Sequence, residues 1–106
     1  MNSIPIKIRG EWWIIKHCSP IWIGDEILYG ETLHDQKIIK IYDETHRTEE
    51  AEVDTILHEI LHAVLPDIGE DAISSAAIAQ TGALKALGFI GKEKIEEKEE
   101  RKKENG

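Results

Sequence analysis

The period of the hydrophobic positions changes once along the chain, from about two in the first forty residues to helical spacing after them. Ile4, Ile6 and Ile8 alternate with Pro5 and Lys7, and Gly10 breaks the pattern before Trp12-Trp13-Ile14-Ile15. This predicts two early strands that meet at a turn or bulge near Gly10. Pro20 interrupts, and a short apolar piece, Ile21-Trp22-Ile23, runs into a Gly24-Asp25 turn signal. Two further runs, from Ile27 to Leu33 and from Lys37 to Tyr42, flank His34-Asp35-Gln36 and predict a hairpin with a three- or four-residue loop. Trp12, Trp13 and Trp22 are expected to pack in the core and on the sheet.

Helical signals follow. Thr48 is an N-cap candidate, and Glu49, Glu50 and Glu52 place negative charge in the first turn, where the helix dipole favours it. Pro66 ends this helix, because the residue ahead of a proline is driven out of the helical region. At about 100° per residue, Val53, Ile56, Leu57, Ile60, Leu61, Ala63 and Val64 fall in one apolar arc. Ala51, Asp54, Thr55, His58, Glu59 and His62 occupy the other side. A second helix is predicted from about Gly69 to Leu87, closed by Gly88. Its small residues, Ala72, Ala76, Ala77, Ala79, Gly82, Ala83 and Ala86, predict close packing beside the first helix.

The predicted fold is therefore α+β: a twisted, mainly antiparallel sheet packed on the first helix and on a second, Ala-rich one. Residues 1–91 form the domain. Residues 92–106 form a charged C-terminal tail, frayed helix or disordered, whose one apolar residue is Ile95. At 106 residues the chain has room for a single modest core. No apolar run is long enough to span a bilayer, and the first residues, Met1-Asn2-Ser3-Ile4-Pro5, show no secretory pattern. Cys18 is the one cysteine, so no internal disulfide forms, as suits a reducing cytosol. A formal net charge of -8 argues against a nucleic-acid phosphate surface. That charge belongs to the domain, because the tail carries six basic and six acidic residues.

The chemistry lies on the polar side of the first helix. His58 and His62 are four residues apart, so they project from one face on successive turns and can share a tetrahedral metal. Glu59 sits one step round, where its carboxylate can reach a metal-bound water without being a ligand. Catalytic zinc usually takes three protein ligands. No Asp, Glu or His occurs between Ala72 and Lys92, which excludes most of the second helix. The nearby candidates are Asp67, Glu70 and Asp71, and Glu70 is preferred because it enters the second helix on an early turn. Cys18, His34 and His46 are upstream competitors for the third position. His34, His46, Tyr29 and Tyr42 are candidates for the donor that stabilises an oxyanion.

The run Leu57-His58-Glu59-Ile60-Leu61-His62-Ala63 follows the hairpin strand Lys37-Ile38-Ile39-Lys40-Ile41 and precedes a short turn and Glu70. In this it resembles small zincin metallopeptidase domains. It is most similar to compact gluzincin-like and ImmA/IrrE-like proteins of phage or prophage type, over roughly residues 27–90. The resemblance implies a twisted sheet whose edge strand holds an extended peptide above the metal. It also implies His58 and His62 as zinc ligands, with Glu59 as the general base. Many gluzincins carry the third ligand, a glutamate, farther along the second helix, where this chain has no acid. The implied activity is zinc-dependent peptide hydrolysis in the cytoplasm, on a peptide or protein substrate, with no nucleic-acid or membrane partner. The alternative is an inactive or autoinhibited zinc-binding interaction module, such as a phage or host regulatory protein.

Overall fold

A computed structural model describes residues 3–91. The chain runs through six strands and then two helices: β1 (Ser3–Ile8), β2 (Glu11–Cys18), β3 (Trp22–Ile23), β4 (Glu26–Ile27), β5 (Gly30–Leu33), β6 (Ile38–Tyr42), α1 (Glu49–Val64) and α2 (Glu70–Ala86). The predicted tail over residues 92–106 lies outside the described residues.

The early strands pair as predicted. β1 and β2 are antiparallel, and Arg9 and Gly10 between them both have positive φ, 53° and 82°. Two successive left-handed residues are the requirement of a type I′ hairpin turn, which explains the glycine there. The later hairpin is shorter than expected. β5 and β6 pair antiparallel across residues 34–37, while Ile27 belongs to a separate two-stranded ribbon of β3 and β4. The sheet order is β1-β2-β6-β5, and its central ladder, β2 with β6, is parallel. The sheet is therefore mixed rather than simply mainly antiparallel. The crossover through residues 19–37 returns β6 beside β2 in the same direction, which no hairpin signal in the sequence encodes.

Strand alternation sets one apolar face. Ile8, Trp13, Ile15, Ile39 and Ile41 are buried on it, and Ala63 of α1 packs into the same cluster. Ile6, Ile56, Ile60 and Val64 close its border. Ile39 and Ile41, both 0% exposed, each contribute roughly 1.5–3 kcal/mol by leaving water. Of the three tryptophans, only Trp13 joins this core. Trp12 and Trp22 are exposed, because Trp12 falls on the opposite face of β2 and Trp22 lies in the peripheral ribbon.

α1 begins where predicted, with the Thr48 hydroxyl accepting a hydrogen bond from the Ala51 amide at 3.0 Å. It packs on β5 and β6 with one side and on α2 with another, giving a sheet–helix–helix order. α2 turns Ile73, Ala77 and Thr81 inward, one residue per turn. Most of the small residues expected at this interface, including Ala72, Ala79 and Ala83, are exposed instead. Gly30 is where the close approach occurs. A Cβ there would stand 2.8 Å from Thr55 Cγ2 and 3.0 Å from Glu59 Cγ, so β5 and α1 meet at a distance only glycine permits.

On the other face of the sheet, Tyr42 is buried and its hydroxyl donates to Glu31 Oε1 at 3.1 Å. Burial first, and then the bond to Glu31, push its pKa from 10.0 up to about 12. The unfolded chain thus loses this proton about two pH units before the native protein does. The contribution of the neutral phenol is complete below about pH 10 and is lost as pH rises toward 12. Urea titrations over that window should show stability falling more steeply in the native chain than in Tyr42→Phe. Gly30→Ala should lower stability by roughly 1–3 kcal/mol in the same assay at neutral pH, because the added methyl overpacks the β5–α1 contact.

Candidate metal centre

α1 carries His58 and His62 on adjacent turns of its polar side. The helix closes with the Leu65 amide bonded to the Leu61 carbonyl at 2.8 Å, and the Ile68 amide then bonds back to Leu65 at 3.1 Å. This tight connection puts Glu70, the first residue of α2, beside the end of α1. Three side chains meet there. His58 Nε2 and His62 Nε2 are 3.1 Å apart, and the Glu70 oxygens lie 2.6 Å from His58 and 3.0 Å from His62. The imidazoles are about three-quarters buried, while Glu70 is mostly exposed.

The donor set has the chemistry of a metal site. If both Nε2 atoms carry hydrogens, two N–H groups confront each other at 3.1 Å. If neither does, two lone pairs and a carboxylate converge with nothing between them. With one Nε2 protonated, its N–H donates to the other ring or to Glu70, and with neither protonated the three groups are free to converge on a shared cation. Around a tetrahedral ion with bonds of about 2.0–2.1 Å, ligand atoms stand roughly 3.3–3.4 Å from one another. The observed 2.6–3.1 Å separations approach that spacing. These three residues can therefore hold a metal ion through two nitrogens and a carboxylate, which leaves a fourth tetrahedral position.

Glu59 stands beside them and is held from the sheet. The Thr32 hydroxyl of β5 lies 2.7 Å from Glu59 Oε1 and 2.9 Å from the Glu59 carbonyl, so one donor grips both the side chain and the backbone of this residue. Gly30 on the same edge strand leaves room for the Glu59 stem. Next to Glu59 and His58, a cleft of about 350 Å³ opens between α1 and the segment from Ile27 to Gly30, with Tyr29, Asp54 and Thr55 on its walls.

The other sequence candidates lie elsewhere. Asp67 and Asp71 flank Glu70 in the chain, are exposed, and take no part in the three-residue cluster. Cys18 ends β2, its thiol 3.9 Å from the Lys16 carbonyl. His34 packs edge-on against Trp13 at 6.1 Å. His46 is buried, with its ring nitrogens against the Thr45 and Thr55 hydroxyls. His17 pairs with Asp43 at 3.0 Å. Of the oxyanion candidates, the Tyr42 hydroxyl is engaged by Glu31, and Tyr29 is the one that borders the cleft beside Glu59.

Thr32 and Gly30 are the residues that sequence reasoning missed. Period-two alternation places both on one face of β5, but only the register against β6 and the contact with α1 aim that face at Glu59. No protein-family model, curated protein or solved structure matches this chain. Zinc titration against a chromophoric chelator should give one tight site per chain. His58→Ala, His62→Ala and Glu70→Ala should each weaken it by roughly 100-fold or more, as removal of one of three ligands requires. Cys18→Ser and Asp71→Asn should leave it unchanged.

Proposed function

We propose that this chain is a zinc-dependent peptidase that hydrolyses peptide bonds with Glu59 as general base. The observation that carries the proposal is the open three-donor set of His58, His62 and Glu70 with the Glu59 carboxylate beside it on the wall of a cleft. A structural site would be expected to close its shell with a fourth protein ligand, and none joins the cluster among the described residues. The likeness of Leu57 to Ala63 to small zincin domains points the same way.

Zinc, when bound, lowers the pKa of a coordinated water to about 7 and polarises the substrate carbonyl. The protein groups divide the rest of the work. Thr32 occupies Glu59 Oε1, so Oε2 is left to take the proton of the attacking water and deliver it to the leaving amine. Tyr29, which lines the same cleft, is the group that would donate a hydrogen bond to the developing oxyanion. β5 is the edge of the four-stranded sheet, and an extended peptide lying along it would pass over Glu59. A peptide or protein in a reducing cytosol is the substrate class this reading implies. No helix among the described residues is long and apolar enough to cross a membrane.

Glu59→Gln should retain zinc at full affinity and lose hydrolysis of a quenched-fluorescent peptide library by about 1,000-fold or more, as loss of a general base predicts. Unchanged turnover in that variant would end the proposal. Thr32→Val should leave metal content intact and cut kcat by about 10-fold, as when a group that orients a catalytic side chain is removed.

A further inference from the structure

α1 packs on one face of the sheet, and among the described residues no helix lies on the other. Strand register fixes what that outer face carries. Pro5, Ile14, Ile38 and Leu33 are successive cross-strand neighbours and form one apolar row over β1, β2, β6 and β5. Trp12 extends the row along β2, 63% exposed, with the Lys7 ammonium 5.3 Å from its ring centroid. On the other side of the row, Lys16 and Lys40 stand directly opposite each other. Like charges so placed repel, and neither lysine forms an ion pair among the described residues. Glu31, the cross-strand neighbour of Lys40, holds the Tyr42 hydroxyl instead. The chain up to Gly91 has seven Lys and Arg against fifteen Asp and Glu. This sheet face nevertheless gathers three of those cations and a single acid, Glu31.

An exposed apolar patch rimmed by polar groups marks an interaction surface, and here the rim has one sign of charge. We propose that the outer face of the sheet docks an acidic amphipathic helix of a partner protein. The proposal does not rest on the metal centre, which α1 carries on the opposite side of the sheet. A helix about 10 Å across, laid along β2 and β6, covers Ile14 and Ile38 with its apolar stripe and takes Trp12 as an anchor. Lys16 and Lys40 lie two strand positions from that pair, about 6.6 Å, which is slightly more than one helical turn. Acids one turn beyond the stripe therefore reach both ammonium groups and relieve their repulsion. Two other occupants fit less well. A second copy stacked about a twofold axis along the strands would set Lys16 against Lys40. Single-stranded nucleic acid needs successive rings on which to stack, and the one exposed ring of this face is Trp12.

The probe is a stapled, fluorescein-labelled helix of about four turns, with leucines along one stripe and two glutamates one turn beyond it. The same helix with glutamines in place of the glutamates is the comparison. Anisotropy is read at low salt on the full chain, and amide shifts are followed by NMR. The glutamate helix should bind saturably and about fivefold or more tightly than the glutamine helix, a difference that two surface ion pairs can supply. Shifts should centre on Trp12, Ile14, Ile38 and Lys40. Lys16→Gln combined with Lys40→Gln should erase the preference and leave the glutamine helix within about twofold. Ile14→Ser, or Trp12→Ser where that chain does not fold, should weaken both helices about fivefold or more by removing apolar contact. No saturable binding, equal affinities, a preference that survives the double substitution, or shifts centred elsewhere would overturn the proposal. So would a dimer in sedimentation that Ile14→Ser disperses, because the face would then belong to a second copy.

Discussion

Two imidazole nitrogens 3.1 Å apart, with both oxygens of one carboxylate closing the triangle, form a cluster that is satisfied either by protons shared between the rings and the carboxylate or by a cation held among them. Much of the fold can be understood as the support for that cluster. α1 sets the spacing of the histidines, the short turn through Pro66 delivers Glu70, and the packing of α1 on β5 fixes which way Glu59 leans. With a cation supplied, the same side chains would become three of the four corners of a tetrahedron.

The edge strand does two things at once. It approaches α1 closely because Gly30 has no side chain, and it uses Thr32 to hold both the carboxylate and the carbonyl of Glu59. Glu59 is thereby tethered to the sheet, while the opposite side of α1 packs more extensively on α2, around Ile73, Ala77 and Thr81. On the sheet side the site is backed by the buried Ile39 and Ile41, and on the other it opens at the exposed Glu70.

Local signals in the sequence were enough for the helices. Thr48 as cap, the acidic first turn, Pro66 after the end and Gly88 past α2 are nearest-neighbour effects, and each appears where it was expected. The polar stripe of Asp54, Thr55, His58, Glu59 and His62 was legible for the same reason, since helical period alone puts these residues on one side. The acid-free stretch after Ala72 narrowed the third position, and the connection then singled out Glu70 over Asp67 and Asp71. What was not legible depends on non-local pairing. The parallel β2–β6 ladder, the shortening of the hairpin to Gly30–Leu33 and the aim of Thr32 all follow from register across the chain, which no short window contains. Trp12 and Trp22 mislead in the same way: hydrophobicity marks them as core, but strand parity and a peripheral ribbon leave them in solvent.

The central claim is that a single ion is bound by the two histidines and Glu70, and X-ray absorption at the zinc edge tests it most directly. The zinc-loaded protein should show about four nitrogen and oxygen neighbours near 2.0–2.1 Å, with the multiple scattering of two imidazoles and no sulfur. A sulfur neighbour near 2.3 Å would place Cys18 in the shell and contradict the account, as would a spectrum without imidazole scattering.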